Sequence, residues 1–151
     1  MTTLFRTNAL HPDFVELVSQ LDADLAVRDG RDHAFYNQFN QIDGIKYALL
    51  AYLDNQPCGC GAIKQFDKKT MEVKRMFVKP QHRGKKVAFQ LLAELELWAA
   101  QLGFQRCVLE TGYKQPEAIS LYEKSGYQII PNYGQYAGIA NSVCFEKLLN
   151  E

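Results

Sequence analysis

The sequence predicts an α+β (mixed α/β) fold with a mostly antiparallel sheet, and three observations carry that expectation. Residues 46–53 (KYALLAYL), 58–66 and 70–78 have strand composition and are separated by turn residues. Past Gly84 the apolar pattern turns helical, placing Val87, Leu91, Leu92, Leu95, Trp98, Ala99 and Leu102 on one face. Residues 105–110 (QRCVLE) then read as a strand and residues 116–125 as a shorter helix, so a β-α-β-α unit follows a meander.

In chain order, residues 3–8 read as a short first strand. Pro12 opens a helix carrying Phe14, Leu17, Val18, Leu21 and Leu25 at helical spacing. Residues 29–40 (DGRDHAFYNQFN) are aromatic and polar without a clean period, which suits a short helix or loop over a pocket. Residues 54–57 (DNQP) supply the turn of a hairpin, and the strand at 70–78 ends before Pro80, which cannot donate to a sheet ladder. Gly103 stops the long helix; Pro116 opens the short one and Gly126 closes it. Residues 127–130 and 141–147 give two last strands around a Tyr- and Gly-rich loop.

A chain of 151 residues with no repeat, low-complexity tract or linker is expected to form one domain spanning 1–151. Its 47% hydrophobic and 23% charged residues place it with folded globular proteins rather than disordered ones. Seventeen basic residues balance seventeen acidic ones, so no global field draws a polyanion, and no nucleic-acid partner is expected. No window reaches the ~20 apolar residues of a membrane span and residues 1–6 lack a signal-like apolar stretch, so a cytoplasmic protein with no membrane partner is expected. Cys58, Cys60, Cys107 and Cys144 lie in apolar, strand-like surroundings without C-x-x-C pairs and read as reduced core thiols. His11, His33 and His82 are scattered without carboxylates at ligand spacing, so no metal is expected.

The local chemistry concentrates at residues 81–88. A helix start leaves backbone N–H groups without intrahelical partners and carries about half a positive charge. Gly84 lets backbone approach a ligand closely, while Arg83, Lys85 and Lys86 add donors and charge. A diphosphate fits that description; the plain alternative is a solvated surface turn. It is neither a Walker A loop, since Lys79 stands where its first glycine would be, nor a G-x-G-x-x-G dinucleotide loop.

Gln81-His82-Arg83-Gly84-Lys85-Lys86, between a strand and a long helix, resembles the Q/R-x-x-G-x-G/A loop of the GCN5-related N-acetyltransferase (GNAT) family. The resemblance extends to residues 72–78 (EVKRMFV) as the family's fourth strand, and to residues 109–111 (LET) as the end of its fifth. Residues 118–127 (AISLYEKSGY) are similar to its A-x-x-L-Y-x-x-x-G-F/Y signature. It implies a twisted sheet of about seven strands flanked by about four helices, with the fourth and fifth strands splayed so that pantetheine lies along strand backbone. On this basis Met76, Phe77 and Val78 are expected to hold pantetheine, and Arg83, Gly84, Lys85, Lys86, Val87 and Ala88 the pyrophosphate of acetyl-CoA, the co-substrate. Two positions depart from the pattern: Lys86 replaces the loop's final Gly or Ala, and Gln115 with Pro116 replaces an asparagine before the signature alanine.

An alkyl ammonium has a pKa near ~10.4, so acetylation of an amine at neutral pH needs a base. Glu72 matches the fourth-strand glutamate of family members that acetylate histones; the plain alternative is a surface Glu72 paired with Lys74. Tyr122 matches the family tyrosine that protonates the leaving thiolate; its plain alternative is a core aromatic. Arg31, Tyr36, Asn37, Tyr113, Tyr133 and Tyr136 lie in irregular segments that would border the acceptor. The expected activity is direct transfer of acetyl to a primary amine of a small or amino-acid-like acceptor, through a ternary complex. A peptide N-terminus or lysine is the alternative acceptor, and a non-catalytic acyl-CoA sensor the alternative class. Family members often dimerise through the C-terminal strands, so a homodimer is one further expectation.

Overall fold

The computed structural model describes residues 2–30 and 44–149. Seven strands form one sheet: β1 (Thr2–Thr7), β2 (Tyr47–Leu53), β3 (Gln56–Asp67), β4 (Thr70–Val78), β5 (Arg106–Gly112), β6 (Gln128–Ile130) and β7 (Ser142–Leu148). Three α-helices lie among the described residues: α1 (Pro12–Asp29), α2 (Val87–Gln101) and α3 (Pro116–Lys124). The sheet order is β1-β2-β3-β4-β5-β7-β6, and β4–β5 is its one parallel pair among the described residues. The expected mixed α/β class and mostly antiparallel sheet are therefore what the chain forms. A fourth α-helix is not among the described residues; the remaining helical turns are single 3-10 turns at Pro80–His82 and Gly134–Tyr136.

Helices cover both faces of the sheet. On one, Phe14, Leu17, Val18 and Leu21 of α1 pack on Ala48, Leu50, Cys60, Ala62 and Phe77. On the other, Val87, Leu91, Leu92, Leu95 and Ala99 of α2 pack on Leu49, Met71, Val73, Val78 and Leu109, joined by Tyr122 of α3. Close approach of α2 depends on β3 having no side chain at Gly59, where a Cβ would stand 2.9 Å from the Phe77 carbonyl oxygen and 3.1 Å from Leu91.

Two irregularities of β4 make the site. The register with β3 shifts between Cys60 and Ala62, and Arg75 takes φ 59°, a bulge that inserts one residue and reverses which face later residues present. Before it Met71 and Val73 face α2, so Glu72 and Lys74 alternate to the α1 side; after it Phe77 faces α1. Arg75 itself is buried and pairs with Asp22 of α1.

The second irregularity is the parallel ladder, which pairs only Thr70 with Arg106, Met71 with Cys107 and Glu72 with Val108. Arg106 pins that closed end, donating from Nε to Thr70 Oγ1 at 2.8 Å. Beyond Glu72 the strands diverge. Among the described residues no strand pairs with residues 73–78 on the β5 side, as the expected splay requires.

Candidate active site

The splay opens into two cavities. The larger, about 390 Å3, runs along the exposed edge of β4 and over the N-terminus of α2. Met76, Phe77, Val78, Arg83, Gly84, Lys86, Val87 and Ala88 line it, whereas Lys85 is exposed and outside the lining. Gly84 has φ +83° with open space where a Cβ would be, so the loop backbone is unobstructed. Lys86 is the N-cap residue of α2 at φ 65° and supplies no side-chain cap. That left-handed conformation gives a physical reason for Gly at this position.

The side chains nearby are arranged rather than merely solvated. Arg83 folds back so that Nε donates to the Val78 carbonyl at 2.8 Å, with its guanidinium 5.6 Å from the Phe77 ring centre. His82 lines the groove with a buried Nδ1 that has no hydrogen-bond partner among the described residues. Arg28 of α1 pairs with Glu117 of α3, joining the two walls of the groove. A free strand edge, a helix N-terminus and an orphaned polar atom in one channel fit the pantetheine arm and phosphates of an acyl-CoA.

The smaller cavity, about 120 Å3, lies on the α1 side of the splay. Glu72 is only 7% exposed there. Its Oε2 accepts from the Tyr133 hydroxyl at 2.7 Å and its Oε1 is 3.9 Å from Lys74 Nζ, so the pairing with Lys74 exists, but between buried side chains lining a cavity rather than at the surface. Tyr133 is fixed edge-on between Phe66 and Tyr136, at 5.1 and 5.8 Å between ring centres. Burial and then the charge of Glu72 push its phenol above the ordinary tyrosine value, so Tyr133 stays a donor. Tyr136 is buried and lines the cavity, with its phenol raised by burial, then by Glu110 and Glu72.

Tyr122 lies at the junction. It lines both cavities and packs against Tyr127 and Phe145, so it is a core aromatic that also borders the site. Burial, then the negative charge of Glu110, raise its phenol, which is protonated at neutral pH. Leu21, Met76, Gln115 and Ala118 also border both cavities. Tyr113 is 51% exposed and lines neither, its ring instead lying near Lys114 Nζ. Arg31, Tyr36 and Asn37 lie outside the described residues.

Sequence reasoning missed Glu110, Lys74 and the Arg28–Glu117 pair as parts of these walls. Glu110 was within reach: Cys107 and Leu109 are core residues, so alternation turns Glu110 to the face that carries Glu72. The Arg28–Glu117 contact spans 89 positions and has no sequence signal.

The model of the acetyltransferase (GNAT) family matches residues 10–127. The chain belongs to that family. An IAA acetyltransferase from Azospirillum brasilense is 33% identical to this GNAT chain over 151 residues, covering 97% of both sequences. A solved Klebsiella pneumoniae structure described as an acyl-CoA N-acyltransferase is 30% identical, with TM-score 0.83 over 99% of both chains. A GNAT acetyltransferase from Elizabethkingia anophelis with acetyl-CoA bound shares the fold at TM-score 0.72 and 19% identity, covering 98% of both chains. The protein is thus an acyltransferase of a family whose usual donor is acetyl-CoA. No helix among the described residues is long and apolar enough to cross a membrane.

Proposed function

We propose that the chain, acting as a single domain, transfers acetyl from acetyl-CoA to the primary amine of a small molecule by direct attack in a ternary complex. The observation that carries this reading is the meeting of the two cavities at Tyr122, with Glu72 and Lys74 in the smaller one. Acetyl-CoA supplies an activated thioester. The edge of β4 at Met76, Phe77 and Val78 would align its pantetheine, and the backbone at Gly84 with the start of α2 its pyrophosphate.

Glu72 takes a proton from the acceptor ammonium. Its Oε2 is engaged by Tyr133, so Oε1, 3.9 Å from Lys74 Nζ, is the oxygen for that transfer. Tyr122 gives its phenolic proton to the departing sulfur, and its raised affinity for the proton keeps it loaded at neutral pH. Direct attack fits the cysteines, since burial pushes the Cys60 and Cys107 thiols up to about 12 and leaves little thiolate to form an acetyl-enzyme. A cavity of about 120 Å3 suits a small acceptor better than a polypeptide.

The test is CoA release with a panel of amines, amino acids, peptides and IAA, the compound in the Azospirillum relative's name. Release with small amines is expected. Release only with peptides would move the acceptor to protein, and binding of acetyl-CoA without release for any compound would favour a sensor.

A further inference from the structure

Lys74 is an amine inside the cavity proposed to receive amines. Its side chain is only 9% exposed, its Nζ is 3.9 Å from Glu72 Oε1, and it borders the same cavity as Met76 and Tyr122. The groove and the cavity share Met76 and Tyr122, and Lys74 lines the same cavity as both, with the Arg75 bulge between it and Met76. We propose that Lys74 is a self-acetylation site, taking an acetyl group from the protein's own bound acetyl-CoA when no acceptor fills the cavity. The proposal rests on the acetyl-CoA reading of the groove.

The chemistry balances with groups already present. The Lys74 ammonium passes one proton to Glu72, which returns it to solvent. The neutral amine then forms the N–C bond to the acetyl carbon as the C–S bond breaks. The departing sulfur takes the Tyr122 proton, and the second nitrogen proton restores the phenol. The products are an amide and CoA thiol, with one proton released and no change of oxidation state. Burial pulls the Lys74 ammonium below the ordinary lysine value, with Glu72 opposing, which enlarges the neutral fraction relative to a surface lysine. Confinement beside the donor adds effective concentration that solvent-exposed Lys85 and Lys114 lack.

The modification would limit itself. An acetylated Lys74 no longer pairs with Glu72 as a cation and occupies part of a cavity of about 120 Å3, so amine turnover falls as the label accumulates.

The experiment incubates the full chain with acetyl-CoA alone, maps acetyl-lysine by peptide mass spectrometry, and follows CoA release from the amine panel on the same samples. Lys74 should label at least about tenfold faster than Lys85 and Lys114, at a rate independent of protein concentration and slowed in Tyr122→Phe. Turnover should decline in step with labelling, with each sample's residual turnover matching its unlabelled Lys74 fraction. If amines release CoA while Lys74 stays unlabelled, the inference falls and the proposed activity stands. Labelling no faster than at the exposed lysines, or equally fast in Tyr122→Phe, is uncatalysed acetylation and also overturns it. Bound acetyl-CoA with neither labelling nor release overturns both.

Discussion

The hydroxyl of Tyr133 donates to Glu72 Oε2 at 2.7 Å, joining the loop before β7 to the middle of β4 across 61 positions of sequence. The ring is held edge-on by Phe66 and Tyr136, so the carboxylate orientation is fixed from outside its own strand. Tyr133→Phe removes the donor but keeps the ring packing. Steady-state kinetics should show kcat falling about tenfold or more while the KM for acetyl-CoA changes little, since lost orientation acts on the transfer step. An unchanged kcat alongside an inactive Glu72→Gln variant would show that Glu72 needs no positioning by Tyr133.

Tyr122 combines ring packing with a place in the walls of both cavities, and Tyr122→Phe separates the ring from the hydroxyl. Phenylalanine preserves the contacts to Tyr127 and Phe145. Turnover should fall by about a hundredfold or more, the usual scale for a lost general acid, while acetyl-CoA affinity measured by calorimetry stays within a few-fold. Equal turnover in the variant would remove Tyr122 from the chemistry.

The fold was legible wherever one element carried its own pattern. Helix α2 announced itself through Val87, Leu91, Leu92, Leu95 and Ala99, all buried as expected, and Gly84 marked the loop before it. The smaller cavity was legible only in fragments, because its walls come from five separate stretches: Leu21 and Leu25 on α1, Glu72 and Lys74 on β4, Glu110 on β5, Tyr122 on α3 and Tyr136 before β7. The bulge at Arg75, which sets the face of later β4 residues, carries no glycine and gave no turn signal. Tyr113 followed the aromatic-loop logic but faces solvent, because aromatic composition alone does not set direction.

Lys86 holds φ 65° without a side-chain cap, so the chain accepts a left-handed residue at the mouth of the groove. Lys86→Gly relieves that conformation and loses the charge. Denaturant unfolding should show a gain of up to about 1 kcal/mol, reduced by the larger unfolded-state freedom of glycine. If the ammonium binds phosphate, the KM for acetyl-CoA rises several-fold in the same variant, more at low salt than at high salt. A stabilised variant with unchanged KM would assign Lys86 no part in cofactor binding.

Gly59 bears on both packing and the donor groove. An added Cβ would meet the Phe77 carbonyl at 2.9 Å, a backbone atom of the very stretch whose other edge faces the cavity. Gly59→Ala should therefore cost about 1–3 kcal/mol in unfolding free energy, the usual range for overpacking. Displacement of Phe77 should weaken acetyl-CoA binding as well. Stability and binding within error of the parent would mean that β4 yields at no cost.

Alkaline pH tests the buried thiols and Tyr52 together. Burial raises Cys60 and Cys107 from 9.0 to about 12 and Cys144 to about 11. Tyr52 rises from 10.0 to about 12 through burial and its 2.5 Å hydrogen bond to Asp13. Each group holds its proton more tightly folded than unfolded, so between those values the unfolded chain binds fewer protons and the slope of stability with pH is negative. Their contribution is complete below pH 9.0 and is lost as pH climbs toward about 12. Denaturant midpoints recorded from about pH 8 to about pH 11 should fall progressively. Tyr52→Phe should flatten only the part above pH 10.0, where that phenol begins to ionise in the unfolded chain. A midpoint independent of pH across this range would show that these groups exchange protons with solvent as freely in the folded state as in the unfolded one.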